Sequence, residues 1–328
     1  MPNLESRKLP EIAVIGFSRQ DSPIDPLWPG THRALLPIAG KPAIMHLIEQ
    51  LADCGIRHVR VAGSIQQYAV RSRLRCGREW GVTIRYSDLG TDELVLECLA
   101  NDTSCLMVYG DHLHDIDFQQ IANRPSETVE IDNAKAMLPG IWGLENDAPR
   151  LVRLVTPQCK RKSVNPLSTP MDFLRANVMA AGLRTENFNV PGAPLHPTAI
   201  VDWDASVSRT AGIGKHVFVG KHCHVGALAR LDRRCVLSNG VFVASGARLS
   251  DVVVLPNTYV GPLVRIRRGI LSDIGLLAMD GRFWPVRDQS YLGATRSNCE
   301  SRTGVPDRYQ DIPYLAPNAP LSESQYDH

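Results

Sequence analysis

"LHPTAIVDWDASVSRTAGIGKHVFVGKHCHVGALARLDRRCVLSNGVFVASGARLSDVVVL", running from Leu195 to Leu255, places an aliphatic residue at every sixth position: Leu195, Val201, Val207, Ile213, Val219, Val225, Leu231, Leu237, Val243, Leu249 and Leu255. Four residues after each stands a second, mostly small residue, among them Ala199, Ala205, Ala211, Val217, Cys223, Ala229, Cys235, Val241, Ala247, Val253 and Tyr259. A fixed internal period decides the fold of whatever contains it. A coil of three six-residue flats requires an aliphatic side chain inside each flat and little bulk at each corner. This pattern supplies both.

The pattern resembles the hexapeptide-repeat left-handed parallel β-helix, and with about eighteen residues per coil it predicts roughly four to five coils. The register moves by one after Leu255, to Val260 and Ile266, so the prism is expected to end or kink near Gly261. Unpaired coil ends and flat faces favour self-assembly or pairing with a relative. Hexapeptide acyltransferases use a coil histidine as general base, which makes His222 and His224 candidates for acyl transfer. "GKHVFVGKHCHVGA" sets them, with His216, in ordinary outward slots, and no long loop breaks out of a coil. Cys223 and Cys235 fall on the small inward position, where a thiol is packing rather than a nucleophile.

Upstream of the repeat the chain reads as α/β. "EIAVIG" (11–16), "HVRVAG" (58–63) and "CLMVYGD" (105–111) are buried strands. Between the first two, Ile44, Leu47, Ile48 and Leu51 recur at helical spacing and Gly55 stops the helix. A further helix is expected over 93–99. Alternating strands and helices imply a mostly parallel sheet with its ligand edge at the strand C-termini, where Asp111 lies. The 328 residues, 44% hydrophobic and 21% charged, are enough for two domains. We expect boundaries of 1–190, 191–275 and a C-terminal extension of 276–328.

No apolar run is long enough to span a bilayer, and Met1 to Pro10 lacks the apolar core of a secretory signal, so a cytoplasmic protein is expected. Eight scattered cysteines without a CxxC pair indicate neither zinc nor a disulfide framework. The net charge of +2 gives no reason to expect nucleic acid.

"LLPIAGKP" (35–42), "LGT" (89–91), "YGD" (109–111), "PGIWGLE" (139–145) and "STPMDFLRAN" (168–177), ahead of the repeat, resemble the sugar-1-phosphate nucleotidyltransferase (NDP-sugar pyrophosphorylase) family, in particular its mannose-1-phosphate guanylyltransferase-like branch. The likeness extends over about residues 11–275 and implies a shortened Rossmann-like domain followed by the β-helix. It also implies a reaction in which a sugar phosphate attacks the α-phosphate of a nucleoside triphosphate. Such chemistry rests on positioning and charge neutralisation. By position, the resemblance makes Ser18, Arg19, Leu89, Gly90 and Thr91 nucleotide-binding residues, Arg33 the counterpart of a catalytic lysine, and Asp111 a magnesium ligand.

The departures are as informative. The glycine-rich loop expected over 18–23 reads Ser-Arg-Gln-Asp-Ser-Pro, with no glycine to approach a triphosphate and with Pro23 where an arginine belongs. The second magnesium aspartate falls on Pro166, with Asn165 beside it, and Leu138 replaces a sugar-binding asparagine. Asp92 and Glu93 replace two small residues after "LGT", where the base would approach. Asp111 can equally be a helix cap or a solvated loop acid, and Arg33 an exposed loop arginine. "CKRKS" (159–163) is a basic run suited to phosphate, a partner or plain solvent. The expected function is a non-catalytic or regulatory one in nucleotide-sugar or surface-polysaccharide metabolism, with a nucleotide or nucleotide sugar as possible ligand and a homo-oligomer or a catalytic relative as partner. The alternatives are an active nucleotidyltransferase built on Arg19, Arg33 and Asp111, and the acyltransferase.

Overall fold

The computed structural model describes residues 9–18, 22–63, 67–101, 103–115, 118, 128–130, 140–145, 148–153, 164–182, 187–196 and 198–295. Strand β1 (Ile12–Gly16) is followed by a hairpin of β2 (Pro37–Ile38) and β3 (Lys41–Pro42), helix α1 (Ala43–Asp53), β4 (His58–Val61), α2 (Gln67–Leu74), β5 (Thr83–Tyr86), α3 (Thr91–Ala100) and β6 (Cys105–Tyr109). The order β5-β4-β1-β6 is parallel throughout. Ile44, Leu47, Ile48 and Leu51 of α1 cover one face of this sheet against Ile15, Val59 and Val61. Leu94, Val95, Cys98 and Leu99 of α3 cover the other, against Val14 and Met107. Helices on both faces of a parallel sheet make a Rossmann-like α/β unit. Gly55 ends α1 with a left-handed φ of 89°, as the sequence required.

Beyond β6 the chain makes β7 (Leu113–His114), and the sheet is extended on that side by antiparallel β9 (Gly140–Glu145) and β10 (Ala148–Arg153), with β8 (Thr128–Glu130) outermost. Strand β11 (Val164–Asn165) pairs with β7 and leads into α4 (Pro170–Ala180), whose N-cap Thr169 and Asp172 bond each other's backbone amides at 3.1 and 3.2 Å.

The repeat folds as stacked parallel strands: β13 (Ala199–Val201), β14 (Ser206–Val207), β15 (Gly212–Val219), β16 (His224–Val225), β17 (Arg230–Leu237), β18 (Phe242–Val243), β19 (Arg248–Val254), β20 (Thr258–Val260) and β21 (Arg265–Ser272). Val217 lies opposite Cys235 and Ser206 opposite His224, so one turn of chain takes 18 residues. Left-handed corners at His216, His222 and Leu228 (φ 57°, 55° and 58°) divide a turn into three flats, and they recur at Arg234, Gly240 and Gly246. Val219, Val225, Leu231, Leu237, Val243 and Leu249 fill the interior with Cys223, Ala229, Cys235 and Ala247.

Several details differ from expectation. The one-residue shift occurs at Asp251, a corner with φ 56°, rather than after Leu255. In consequence Val252 and Val254 point inward, while Val253 and Leu255 turn outward, and Thr258 rather than Tyr259 becomes fully buried. Leu195 is 58% exposed and lies on β12 (Ala193–His196), outside the stack. Nor does the stack stop near Gly261, because β21 continues it. Its ends are covered: β12 runs antiparallel to β13, β22 (Gly275–Ala278) and β23 (Phe283–Pro285) fold back on β21, and β24 (Leu292–Ala294) folds back on β20.

The outward residues of one flat form an apolar file, Ile200, Phe218, Val236, Val253 and Ile270, one per turn. Phe173 and Leu174 of α4 and Ile38 and Ala39 of the β2–β3 hairpin pack on it. Ala39 and Gly40 (φ 43° and 83°) make the two-residue hairpin turn, and Gly40 sits so close to Phe218 that an added Cβ would lie 3.2 Å from its ring. Asn177 accepts the Ala39 amide at 2.9 Å, and Asn239 donates to the Gly40 carbonyl at 3.1 Å. "LLPIAGKP" thus joins the α/β unit to the coil. Among the described residues no helix is long and apolar enough to cross a membrane.

Candidate functional site

In chain order the parallel strands are arranged third, second, first, fourth, so the winding reverses between β1 and β6, and open α/β sheets bind ligands beyond the C-terminal ends of the strands at such a reversal. Ser18 follows β1 there, and Asp111 follows β6. Both loops depend on glycine for close approach. A Cβ on Gly110 would lie 2.7 Å from Ile15 and 2.8 Å from the Phe17 ring, and one on Gly16 would lie 2.5 Å from Thr91 Oγ1. The Phe17 ring meets His32 edge-on at 4.7 Å. His32 in turn accepts the Ala34 amide at 3.2 Å and so caps the short helix that carries Arg33.

Three of the residues singled out in the sequence come together. Asp111, 1% exposed, accepts at Oδ2 from the Ser18 amide (2.9 Å) and the Ser18 hydroxyl, and at Oδ1 it meets His112 Nδ1 at 3.0 Å. Arg33, 4% exposed, donates to the Pro166 carbonyl at 3.0 Å and to Ser18 Oγ at 3.4 Å. It is therefore a buried cation rather than an exposed loop arginine. Burial by itself would raise the Asp111 carboxyl, but the hydrogen bonds from His112 and Ser18 outweigh it and hold the group below the usual carboxylate range. His32 is pushed down, first by burial and further by Arg33, against an opposing pull from Asp111.

The Pro166 carbonyl is aimed by its neighbour. Asn165 accepts the Leu167 amide at 2.9 Å and donates to the Asp172 carbonyl at 2.8 Å, which fixes a turn with Leu167 at φ 50°. An Asn-Pro pair is a turn signal, so this could have been found in the sequence. Replacing Arg33 with methionine leaves that carbonyl without its donor, and we expect a loss of about 1–3 kcal/mol in denaturant unfolding.

The "LGT" segment forms the N-terminus of α3. The Gly63 amide donates to the Leu89 carbonyl at 3.1 Å, and the Gly90 amide donates to Glu93 at 2.8 Å. Glu93 thus caps its own helix by a local contact. Thr91 faces β1 across Gly16, while Leu89 is 41% exposed. Arg19, Leu138 and the run 159–163 lie outside the described residues. Of the acyl-transfer candidates, His222 is an exposed corner, and His224 stacks on Phe242 at 4.5 Å in line with Tyr259.

The magnesium that the resemblance implies does not fit this donor set. Magnesium takes oxygen ligands in octahedral array, usually from one or two carboxylates with waters and phosphates. Here one carboxylate already has both oxygens hydrogen-bonded, a guanidinium holds the Pro166 carbonyl, and among the described residues no three His, Cys, Asp or Glu side chains gather into a metal site.

No protein-family model and no curated protein matches the sequence. Among solved structures, the chain is similar to a protein from Bacillus anthracis described as a glucose-1-phosphate thymidylyltransferase and solved in complex with a sucrose, with 18% identity and a TM-score of 0.34, over 51% of this chain and 93% of that chain.

Proposed function

We propose that the chain is a nucleotidyltransferase-like protein that has given up efficient pyrophosphorylase chemistry and acts as a non-catalytic or regulatory component of nucleotide-sugar or surface-polysaccharide metabolism. Residues 1–190 are the shortened α/β domain, 191–275 a left-handed β-helix and 276–328 an extension. The C-terminal edge of the sheet between β1 and β6 takes a nucleotide or nucleotide sugar, and Ser18, Arg19 and Leu89 to Thr91 are the residues assigned to bind it. The coil's outer surface pairs with a second copy or with a catalytically intact relative.

One observation carries the loss of turnover. The only carboxylate that the resemblance leaves for the reaction, Asp111, is already engaged by Ser18 and His112, and Arg33 is turned onto a backbone carbonyl. Phosphoryl transfer needs cations aimed at the phosphates, and this geometry spends them on the protein itself. The test is pyrophosphate release from a panel of nucleoside triphosphates and hexose 1-phosphates with magnesium. The expected rate is far below the 1–10³ per second typical of enzymes, of which about 10 per second is the median. Turnover in that range would establish the active-enzyme reading. A thermal-shift series with nucleotides and nucleotide sugars measures binding separately, since a ligand of the folded state raises its melting temperature.

A further inference from the structure

We infer that one edge of the coil docks the protein on an anionic membrane surface. The edge is the corner line through Leu228, Gly246 and Leu263, with the flat that follows it. Leu228 and Leu263 are 68% and 60% exposed and hold left-handed φ values of 58° and 60°. Leucine is poorly suited to that conformation, where glycine or asparagine is favoured. The other corners of the coil hold glycine, asparagine or a charged or polar residue, such as Gly246 (φ 74°), Asn257 (φ 57°), His222 (φ 55°) and Arg268 (φ 58°), so an aliphatic side chain stands at a left-handed corner only at Leu228 and Leu263 among the described corners. The corner conformation needs no leucine, and two large aliphatic side chains left in solvent on one corner line are not explained by the packing of the coil.

Beside them runs a file of charge. Arg230, Arg248 and Arg265 lie directly opposite one another on β17, β19 and β21, about 4.8 Å from rung to rung. Like charges placed opposite one another on neighbouring strands destabilise a sheet. Arg233 and Arg234, by contrast, are tied to the buried Asp251. Among the described residues no ion pair engages the three arginines of the file, and Arg267 extends the charge on β21, with Asp232 exposed two rungs away on β17.

Cations that meet lipid phosphates and leucines that enter the interface are the two components of peripheral membrane binding. Two leucines are too little apolar surface for a stable protein interface. The aromatic side chains that would stack nucleic-acid bases, Phe242 and Tyr259, lie on a different flat.

The test is co-sedimentation of the full chain with phosphatidylcholine vesicles, with and without phosphatidylglycerol. We expect binding only with phosphatidylglycerol, weakening as salt rises. Replacing Arg230, Arg248 and Arg265 with glutamine is expected to reduce it on the order of a hundredfold. Leu228→Asn with Leu263→Asn is expected to reduce it about tenfold. The melting temperature should be held or raised, because asparagine suits the corner, so lost binding would not reflect unfolding. Equal binding to both vesicle types overturns the proposal. So does full binding by the asparagine variant, or binding to heparin or single-stranded DNA in place of vesicles, which would make the file a site for a polyanion in solution.

Discussion

Acidification from pH 6.5 to 4 is expected to remove about 3 kcal/mol of folding stability for each of two histidines, His46 and His114. Burial lowers both from 6.5 to about 4. Each donates Nε2–H to a backbone carbonyl, His46 to Ile38 at 2.9 Å and His114 to Tyr109 at 2.8 Å. His46 Nδ1 is buried without a hydrogen-bond partner among the described residues, so a proton there would place charge in an apolar site. Between the two values the unfolded chain binds protons that the folded chain refuses, so stability falls as the pH falls through this window. Asp111 acts lower on the scale: its carboxyl is held below 3.8, and its contribution is lost only as the pH drops through that depressed value. Guanidinium unfolding at steps across the window measures the slope. A flat profile would show that these imidazoles are protonated in the folded protein.

Phe218→Ala is expected to cost about 3–5 kcal/mol, the usual range for a fully buried phenylalanine. The ring occupies the apolar file beneath α4 and the Ala39-Gly40 turn, so the cavity would open at the joint between the two units. Chemical denaturation should therefore show a lower midpoint, and early proteolysis near that joint. An unchanged midpoint would mean that the α/β unit does not rest on the coil through this residue.

The joint also shows what the sequence made legible. The six-residue period identified the interior of the coil from Val201 to Leu249, because the inward positions there obey one steric rule. The outward file Ile200, Phe218, Val236, Val253 and Ile270 follows the longer period of a whole turn, and it is visible only when residues one turn apart are aligned. The shift at Asp251 was misplaced because Val252, Val253 and Val254 are chemically alike, and either parity of the strand buries a valine. The candidate site was partly readable. Ser18, Arg33 and Asp111 were named from the order of motifs, and they do converge. Their mutual engagement was not readable, because it depends on a backbone carbonyl at Pro166, and carbonyls carry no sequence signature. Glu93 was read as an obstacle to a base, whereas its nearest task is local, three residues from the amide it caps.

The reversed strands that cover both ends of the stack have a consequence for how the chain behaves when crowded. A parallel ladder with bare termini offers the next molecule a template and can grow without limit into fibrils. With β12 laid across the first rung and β22 and β24 across the last, lengthening by end-to-end addition is blocked. Trimming either cover should expose a bare rung that seeds filaments.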